Sequence, residues 1–96
     1  MIEILRFELV PGADEAAFIE SDKRVQAEFA YQQPGLVRRT TARGEGGRWV
    51  VIDLWYSAAA SDAANAAWEA DPAAKAYMAF VAPDSVSVER YEDLGG

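Results

Sequence analysis

The 96-residue chain contains no cysteine and no histidine, and these two absences exclude much of ordinary enzyme chemistry. Without cysteine there are no disulfides, no thiolate metal sites and no cysteine nucleophile. Without histidine there is no Ser-His-Asp triad, no histidine-bound zinc and no haem held by a proximal histidine. No clustered carboxylate motif such as an EF-hand loop is present. An all-carboxylate metal site stays possible, but these residues favour no metal.

Basic residues are also scarce, since 9 lysines and arginines stand against 16 acidic residues and give a net charge of −7. Nucleic acids and anionic membranes need a basic surface, so neither is an expected partner. No apolar run approaches the ~20 residues that span a bilayer. Met1 is followed at once by strand-like residues rather than by a signal peptide. We expect one cytoplasmic domain that covers residues 1–96.

The apolar pattern predicts four strands and two helical regions, separated by proline and glycine turns. The predicted strands are Ile2–Leu9, Leu36–Arg43, Arg48–Tyr56 and Ser85–Glu92, and the predicted helices are Ala13–Tyr31, Ser57–Asp71 and a further piece from Pro72 to about Val81. Ser57 or Ser61 is the candidate N-cap of the second helix, and Asp71 that of the last piece. The order β-α-β-β-α-β predicts an α+β, ferredoxin-like domain, in which a four-stranded antiparallel sheet carries its helices on one face.

The third predicted strand is apolar on both of its faces. Val50, Ile52 and Leu54 alternate with a second set that carries two tryptophans, Trp49 and Trp55. A sheet with helices on one side should be polar on the other. We expect the tryptophan face, with Val51 and Tyr91, to be the uncovered one and to be buried in a homodimer, because monomers rarely expose such a patch. The alternative is a monomer with partly exposed aromatic side chains.

Asp22 is an unusual residue in the first predicted helix. It lies on the apolar stripe of Phe18, Val25 and Phe29, and Gln26 lies at the edge of that stripe. A carboxylate there needs a partner or water. One interpretation is a general base in a cavity between helix and sheet, and the other is a salt bridge to Arg6, Arg38 or Arg39. Arg39 is also a candidate for holding an anionic oxygen of a ligand.

A second group of candidates lies in the alanine-rich part of the chain. Asn65 and Trp68 are neighbours on one helix face, and both can donate hydrogen bonds to a ligand among small alanines. Tyr77 and Phe80 share a face of the next helical piece, where the Tyr77 hydroxyl could reach the same pocket. The alternative explanation for Trp68, Tyr77 and Phe80, and the one that buried aromatic residues favour, is core packing. Trp55 is a further candidate binding residue.

The chain resembles the antibiotic biosynthesis monooxygenase-like group of the dimeric α/β-barrel superfamily. The resemblance covers nearly the whole chain and is carried by the element order, by Pro34–Arg39, by Gly47–Trp55 with its Asp53, and by the alanine-rich helix after Ser57. It implies a dimeric ferredoxin-like barrel. Some members resemble cofactor-free oxygenases of aromatic polyketides, whose sites use Asn, Trp, Tyr and Arg in that chain order, which here implies Asn65, Trp68, Tyr77 and Arg90.

The resemblance implies a cofactor-independent monooxygenase acting on a small aromatic, polyketide- or quinol-like molecule. Asn65, Trp68 and Tyr77 would stabilise the substrate anion and Asp22 would accept its proton. The absence of histidine argues against the haem-degrading relatives. Two alternatives stay open, namely a non-catalytic module that binds a small apolar molecule, and a cyclase or isomerase that uses Asp22 and an arginine without oxygen.

Overall fold

The structure is a computed structural model that describes all 96 residues, and it confirms the predicted α+β, ferredoxin-like architecture. The strands are β1 (Ile2–Glu8), β2 (Leu36–Arg43), β3 (Arg48–Trp55) and β4 (Ser87–Tyr91), and the helices are α1 (Glu15–Glu28), α2 (Ala58–Trp68) and α3 (Pro72–Met78). Short 3-10 turns follow α1, join β2 to β3 and precede β4. The four strands form one antiparallel sheet in the order β2-β3-β1-β4, which places the two most apolar strands in its centre.

Local side-chain caps explain where the helices begin. Asp14 accepts a hydrogen bond from the amide of Ala17 at the start of α1. Ser57 does the same for α2, as one of the two predicted caps. Asp71 caps α3 immediately before Pro72, as predicted. Such caps satisfy amides that would otherwise lack a partner, and each contributes about 1 kcal/mol.

The core lies between the sheet and the helices and is mainly aromatic. Phe18 of α1 is fully buried at its centre. Its ring lies 4.9 Å from that of Trp49 and 5.1 Å from that of Tyr77, with Phe7 at 5.9 Å. The pairs with Trp49 and Phe7 are edge-to-face, an arrangement that adds to the free energy gained from burial. The cluster fixes α1 and α3 against the central strands.

The predicted assignment of the two faces of β3 is wrong. Trp49, Val51 and Trp55 are buried beneath the helices, at 6%, 4% and 6% exposure. The uncovered face carries the aliphatic set instead, and Ile52 on it is 39% exposed. Both faces are apolar, so only the packing of the helices decides which one is covered. Tyr91 is exposed and pairs with Ile2, which places it on the open face as predicted, but on the opposite face from the tryptophans with which it was grouped.

A close contact joins α2 to the loop that precedes β2. Gly35 in that loop has a φ of 89°, and a Cβ on it would lie 2.6 Å from the Cβ of Ala60. The carbonyl of Gly35 also accepts a hydrogen bond from the amide of Tyr56. Glycine is therefore required at this position both by its backbone angle and by the approach of the helix.

None of the helices in the structure combines the length and the apolar character that a membrane span requires.

Candidate functional site

A cavity of about 420 Å³ lies between the sheet and the helices, and 15 of its 20 lining residues are hydrophobic. Val51 and Trp55 of β3 form part of its floor, and Trp68 of α2 and Tyr77 of α3 form part of its wall. A volume of this order and an apolar lining with few polar groups are typical of sites for small apolar ligands. No group of three carboxylate, histidine or cysteine side chains is close enough to hold a metal ion.

Three buried side-chain atoms have no hydrogen-bond partner, and all three belong to residues that line this cavity. They are Oδ1 of Asp53, Nε1 of Trp55 and the hydroxyl oxygen of Tyr77. Each such atom costs about 1–3 kcal/mol, and folded proteins contain few of them. The indole N–H is a donor, the tyrosine hydroxyl can donate and accept, and an ionised carboxylate only accepts. The residues that line the cavity therefore include unpaired donors and an unpaired acceptor.

A row of four charged residues crosses the sheet beneath the helices. In the strand register Arg39 of β2 lies opposite Asp53 of β3, Asp53 lies opposite Glu3 of β1, and Glu3 lies opposite Arg90 of β4. The row therefore alternates as positive, negative, negative, positive. Directly opposed residues have Cβ atoms about 4.5–5.5 Å apart, so these charges interact strongly. Glu3, Arg39 and Asp53 all line the cavity.

Burial raises the pKa of the Asp53 carboxyl from its ordinary 3.8 to about 6. The positive charge of Arg39 opposes this rise, while the negative charges of Glu3 and Asp22 add to it. Asp53 is 9% exposed, so little water stabilises its ionised form. A carboxyl of this kind is half-ionised near pH 6 and mostly ionised at pH 7, yet it binds a proton far more readily than an ordinary aspartate, which suits a group that exchanges protons.

Burial also raises the pKa of the Tyr77 hydroxyl well above its usual range, with a further contribution from the negative charge of Asp22. The hydroxyl therefore keeps its proton at all physiological pH values and remains able to donate. The guanidinium of Arg39 lies 5.9 Å from the Tyr77 ring centroid. This position fixes the ring against the charged row at the floor of the cavity.

Arg39 forms a salt bridge with Asp22, and it is one of the three arginines that the sequence analysis named as possible partners of this carboxylate. Its Nη2 donates to Oδ1 of Asp22 at 2.8 Å, and its Nη1 donates to Oε1 of Gln26 at 3.3 Å. The Thr41 hydroxyl donates to the same Asp22 oxygen at 3.0 Å. Burial lowers the pKa of Arg39, but the hydrogen bond and charge of Asp22 outweigh this and raise it. Asp22 and Gln26 thus hold Arg39 from behind, outside the lining of the cavity.

The structure gathers only part of the predicted site around the cavity. Asn65, Trp68, Tyr77, Arg39 and Trp55 line it. Asn65 is exposed and so lies at the mouth, whereas Trp68 packs edge-to-face on Phe29 and Tyr77. Phe80 lies against Phe18 and is not part of the lining. Trp68, Tyr77 and Phe80 thus pack against other aromatic rings, and core packing was the alternative explanation for these three residues in the sequence.

Arg90 is also outside the lining, because its side chain is engaged elsewhere. Its Nε donates to Glu3, and its Nη2 donates to Ser61 and to Asp62, all at 2.8–3.1 Å. These hydrogen bonds, and with them the charges of Asp62 and Glu3, raise the pKa of Arg90. The Ser61 hydroxyl in turn donates to Glu3. Arg90 therefore ties α2 to the edge of the sheet.

Sequence reasoning assigned no role to Asp53 or Glu3, which the structure places on the cavity floor. A signal for Asp53 was present, because acidic residues are rare in the centre of an apolar strand. Its neighbours at two-residue spacing, Val51 and Trp55, marked the face it would share. Glu3 carried a weaker signal, since it lies near the chain start, where an acidic residue is usually exposed.

The fold and the cavity together define a ferredoxin-like α+β protein with an apolar cavity between sheet and helices. This is the fold of solved antibiotic biosynthesis monooxygenase family proteins. One similar structure is an asparagine-to-alanine variant of SnoaB, a cofactor-independent oxygenase from Streptomyces nogalater. It is 25% identical, with a TM-score of 0.78, over 99% of this chain and 93% of that chain.

Two further solved structures share the fold at lower identity. One is an antibiotic biosynthesis monooxygenase, 16% identical with a TM-score of 0.71, over 97% of this chain and 100% of that chain. The other is Rv0793 from Mycobacterium tuberculosis, 21% identical with a TM-score of 0.64, over 99% and 97% of the two chains. No protein-family model matches this sequence, and no curated protein matches it either.

Proposed function

We propose that the protein is a cofactor-independent monooxygenase that acts on a small, electron-rich aromatic molecule held in the cavity. The observation that carries this proposal is that three residues with unpaired buried polar atoms line one apolar cavity. A planar aromatic body fits such a lining, and its phenol or ketone oxygens supply the missing partners. The likeness to SnoaB, which is a cofactor-independent oxygenase, supports the same reaction class.

The chemistry requires a substrate that can be ionised. An anthrone-type methylene or a quinol hydroxyl loses a proton, and the resulting anion passes electrons to O₂. For a methylene the overall change is CH₂ plus O₂ to C=O plus H₂O, so one oxygen atom enters the product and the other leaves as water. The protein must stabilise the anion with donors that are already in place. Tyr77 and Trp55 offer unpaired donors, and Asn65 and Trp68 lie at the same cavity.

Tyr77→Phe is expected to lower the turnover number by about 100-fold, the usual cost of losing one preorganised donor to a substrate anion. No group makes a hydrogen bond of ordinary geometry with the Tyr77 hydroxyl, although Asp22 and Arg39 lie near enough to affect its pKa, so its removal should change the free energy of unfolding by less than about 1 kcal/mol. Oxygen uptake with anthrone or a hydroquinone measures the rate, and urea denaturation measures the stability. Tyr56→Phe is the matched control, because Tyr56 is 80% exposed.

Trp68→Phe in the same assay tests the indole N–H, because the ring packing on Phe29 and Tyr77 is largely kept. Equal rates for the wild type and this variant would remove Trp68 from the mechanism. A ligand recovered unchanged, with no oxygen uptake, would favour the non-catalytic binding module instead. Turnover that continues without oxygen would favour a cyclase or isomerase.

We also infer that the chain forms a homodimer through its open sheet face. That face carries the aliphatic side chains of Ile2, Ile4, Val50, Ile52 and Leu54 on the two central strands. Arg6 and Glu89 form an ion pair on the same face towards the β4 edge, so the apolar centre has charges of both signs beside it. A second copy placed sheet to sheet presents the same aliphatic centre and covers it.

Ile52→Lys is expected to convert the dimer to a monomer, because it places a charge in the centre of the buried face. Light scattering after size exclusion at tens of micromolar protein should give twice the chain mass for the wild type and one chain mass for the variant. Leu94→Lys is the control, since Leu94 is 86% exposed and lies in the tail. A wild-type particle of one chain, or a dimeric Ile52→Lys variant, would contradict this inference.

A further inference from the structure

Asp53 combines three properties that no other carboxyl of this protein shows together. It lines the apolar cavity, it is buried, and its Oδ1 has no hydrogen-bond partner. It also lies on β3, a central strand, where hydrogen-bonded neighbours on both sides hold the backbone rigid. A rigid mount and a free acceptor atom are what a proton-abstracting group requires.

The other carboxyls near the cavity are already engaged or solvated. Oε2 of Glu3 accepts hydrogen bonds from the Ser61 hydroxyl and from Nε of Arg90, both at 3.0 Å. Oδ1 of Asp22 accepts from Arg39 and Thr41, and Asp22 is not part of the lining. Glu69 lines the mouth but is exposed to water. The role that the sequence suggested for Asp22 therefore has a better-placed candidate.

We propose that the Asp53 carboxylate is the base that removes the substrate proton, an inference that rests on the proposed oxygenase function. For an anthrone-type methylene, the C–H bond breaks, its electron pair stays on the substrate as an enolate, and the proton goes to Asp53. The enolate reduces O₂ and forms a C–O bond, and Asp53 returns the proton to the resulting peroxide. The second C–H bond then breaks, its electron pair forms the C=O bond as the O–O bond breaks, and the departing hydroxide combines with the released proton as water, which leaves the ketone.

The groups that face Asp53 set the pH range in which it can act. Arg39 lies opposite on β2 and Glu3 lies opposite on β1, with Arg90 beyond it on β4. From the helices, Asp22 of α1 contributes negative charge, and Tyr77 of α3, which stays neutral, lines the same cavity. Because burial raises the pKa of Asp53 to about 6, proton removal should fall away below that pH.

The test separates proton removal from the reaction with oxygen. Anthrone is incubated with the protein in D₂O without oxygen, and exchange of its methylene hydrogens is followed by NMR, with the buffer rate subtracted. We expect Asp53→Asn to lower this exchange by about 100-fold and to abolish its dependence on pH near 6, since a general base contributes 10²–10⁴-fold. Asp84→Asn, the same change at an exposed site, should leave the rate unchanged. In Asp53→Ala, added formate should restore part of the exchange.

Oxygen uptake with anthrone is measured on the same preparations. Wild-type uptake together with equal exchange in the wild type and in Asp53→Asn would overturn the role of Asp53 and leave the oxygenase function standing. Exchange that depends on Asp53 without any oxygen uptake would uphold the base and overturn the oxygenase. A wild type that neither exchanges anthrone nor consumes oxygen with it would overturn both.

Discussion

Asp53→Asn is expected to raise the free energy of unfolding by about 3 kcal/mol at pH 8 and to leave it almost unchanged at pH 3.5. The folded protein holds the Asp53 proton up to about pH 6, whereas the unfolded chain releases it near pH 3.8. The difference of about two pKa units corresponds to about 3 kcal/mol. Below pH 3.8 both states carry the proton, so Asp53 costs nothing there. Between pH 3.8 and 6 the unfolded chain releases this proton while the folded protein holds it, so the free energy of unfolding falls across that range and stays lower above it. Asparagine avoids this loss.

Urea denaturation of the two proteins at several pH values, with the protein concentration fixed, measures this difference. Comparison with the asparagine variant isolates Asp53 from the other acidic groups, because all of them are present in both proteins. Asp84→Asn should shift stability by less than ~0.5 kcal/mol at any pH. Equal free energies of unfolding for the wild type and Asp53→Asn at pH 8 would show that Asp53 ionises there without destabilising the fold. The same variant that loses activity should therefore be the more stable protein.

Asp22→Asn is expected to lower the free energy of unfolding by about 3 kcal/mol at pH 7. The change removes the main partner of Arg39, whose side chain is 5% exposed, and leaves a buried guanidinium with weaker partners. Breaking a buried ion pair on one side typically costs 3–5 kcal/mol. Gln26 still accepts from Arg39 in the variant, which places the expected cost at the lower end of that range.

Glu28→Gln is the matched control for this prediction. It removes one partner of the Arg24–Glu28 pair on α1, whose side chains are 47% and 58% exposed, and it should cost less than ~0.5 kcal/mol. The double variant Asp22→Asn with Arg39→Met removes both buried charges and should recover part of the loss. Equal midpoints for Asp22→Asn and Glu28→Gln would show that the buried pair contributes no more than a surface one.

The order of the elements followed from the sequence because its signals are local. Apolar spacing, the glycines at 44, 46 and 47, and the caps at Ser57 and Asp71 each act within a few residues. The predicted ends of the helices were less accurate where a short 3-10 turn follows the α-helix. The predicted helix to Tyr31 ends at Glu28, and a 3-10 turn continues over Ala30–Gln32.

The faces of β3 could not be assigned in the same way. A strand that is apolar on both sides has no polar side to mark the solvent, so the sequence pattern allows either choice. The decision depends on long-range contacts, above all that of Phe18 on α1 with Trp49. The tryptophans, expected on the open face, are instead the residues on which the helices pack.

The candidate site was predicted in part. Asn65 and Trp68 line the cavity because helix periodicity brings residues three apart onto one face, and Tyr77 joins them from the separate helix α3. Asp53 was missed because it shares its face with the tryptophans that were assigned to the dimer interface. Its proximity to Arg39 and Glu3 arises from strand register, which depends on residues far apart in the sequence.

The row Arg39, Asp53, Glu3, Arg90 behaves as a linear quadrupole, with two positive ends and two negative central charges. The field of such an arrangement weakens much faster with distance than that of a single charge, so it exerts little pull on ions outside the protein. Within the cavity its gradient is steep, and it can orient a neutral molecule that has its own local dipoles. Protonation of Asp53 shifts the row to a net positive charge, which favours the substrate anion at the moment it forms.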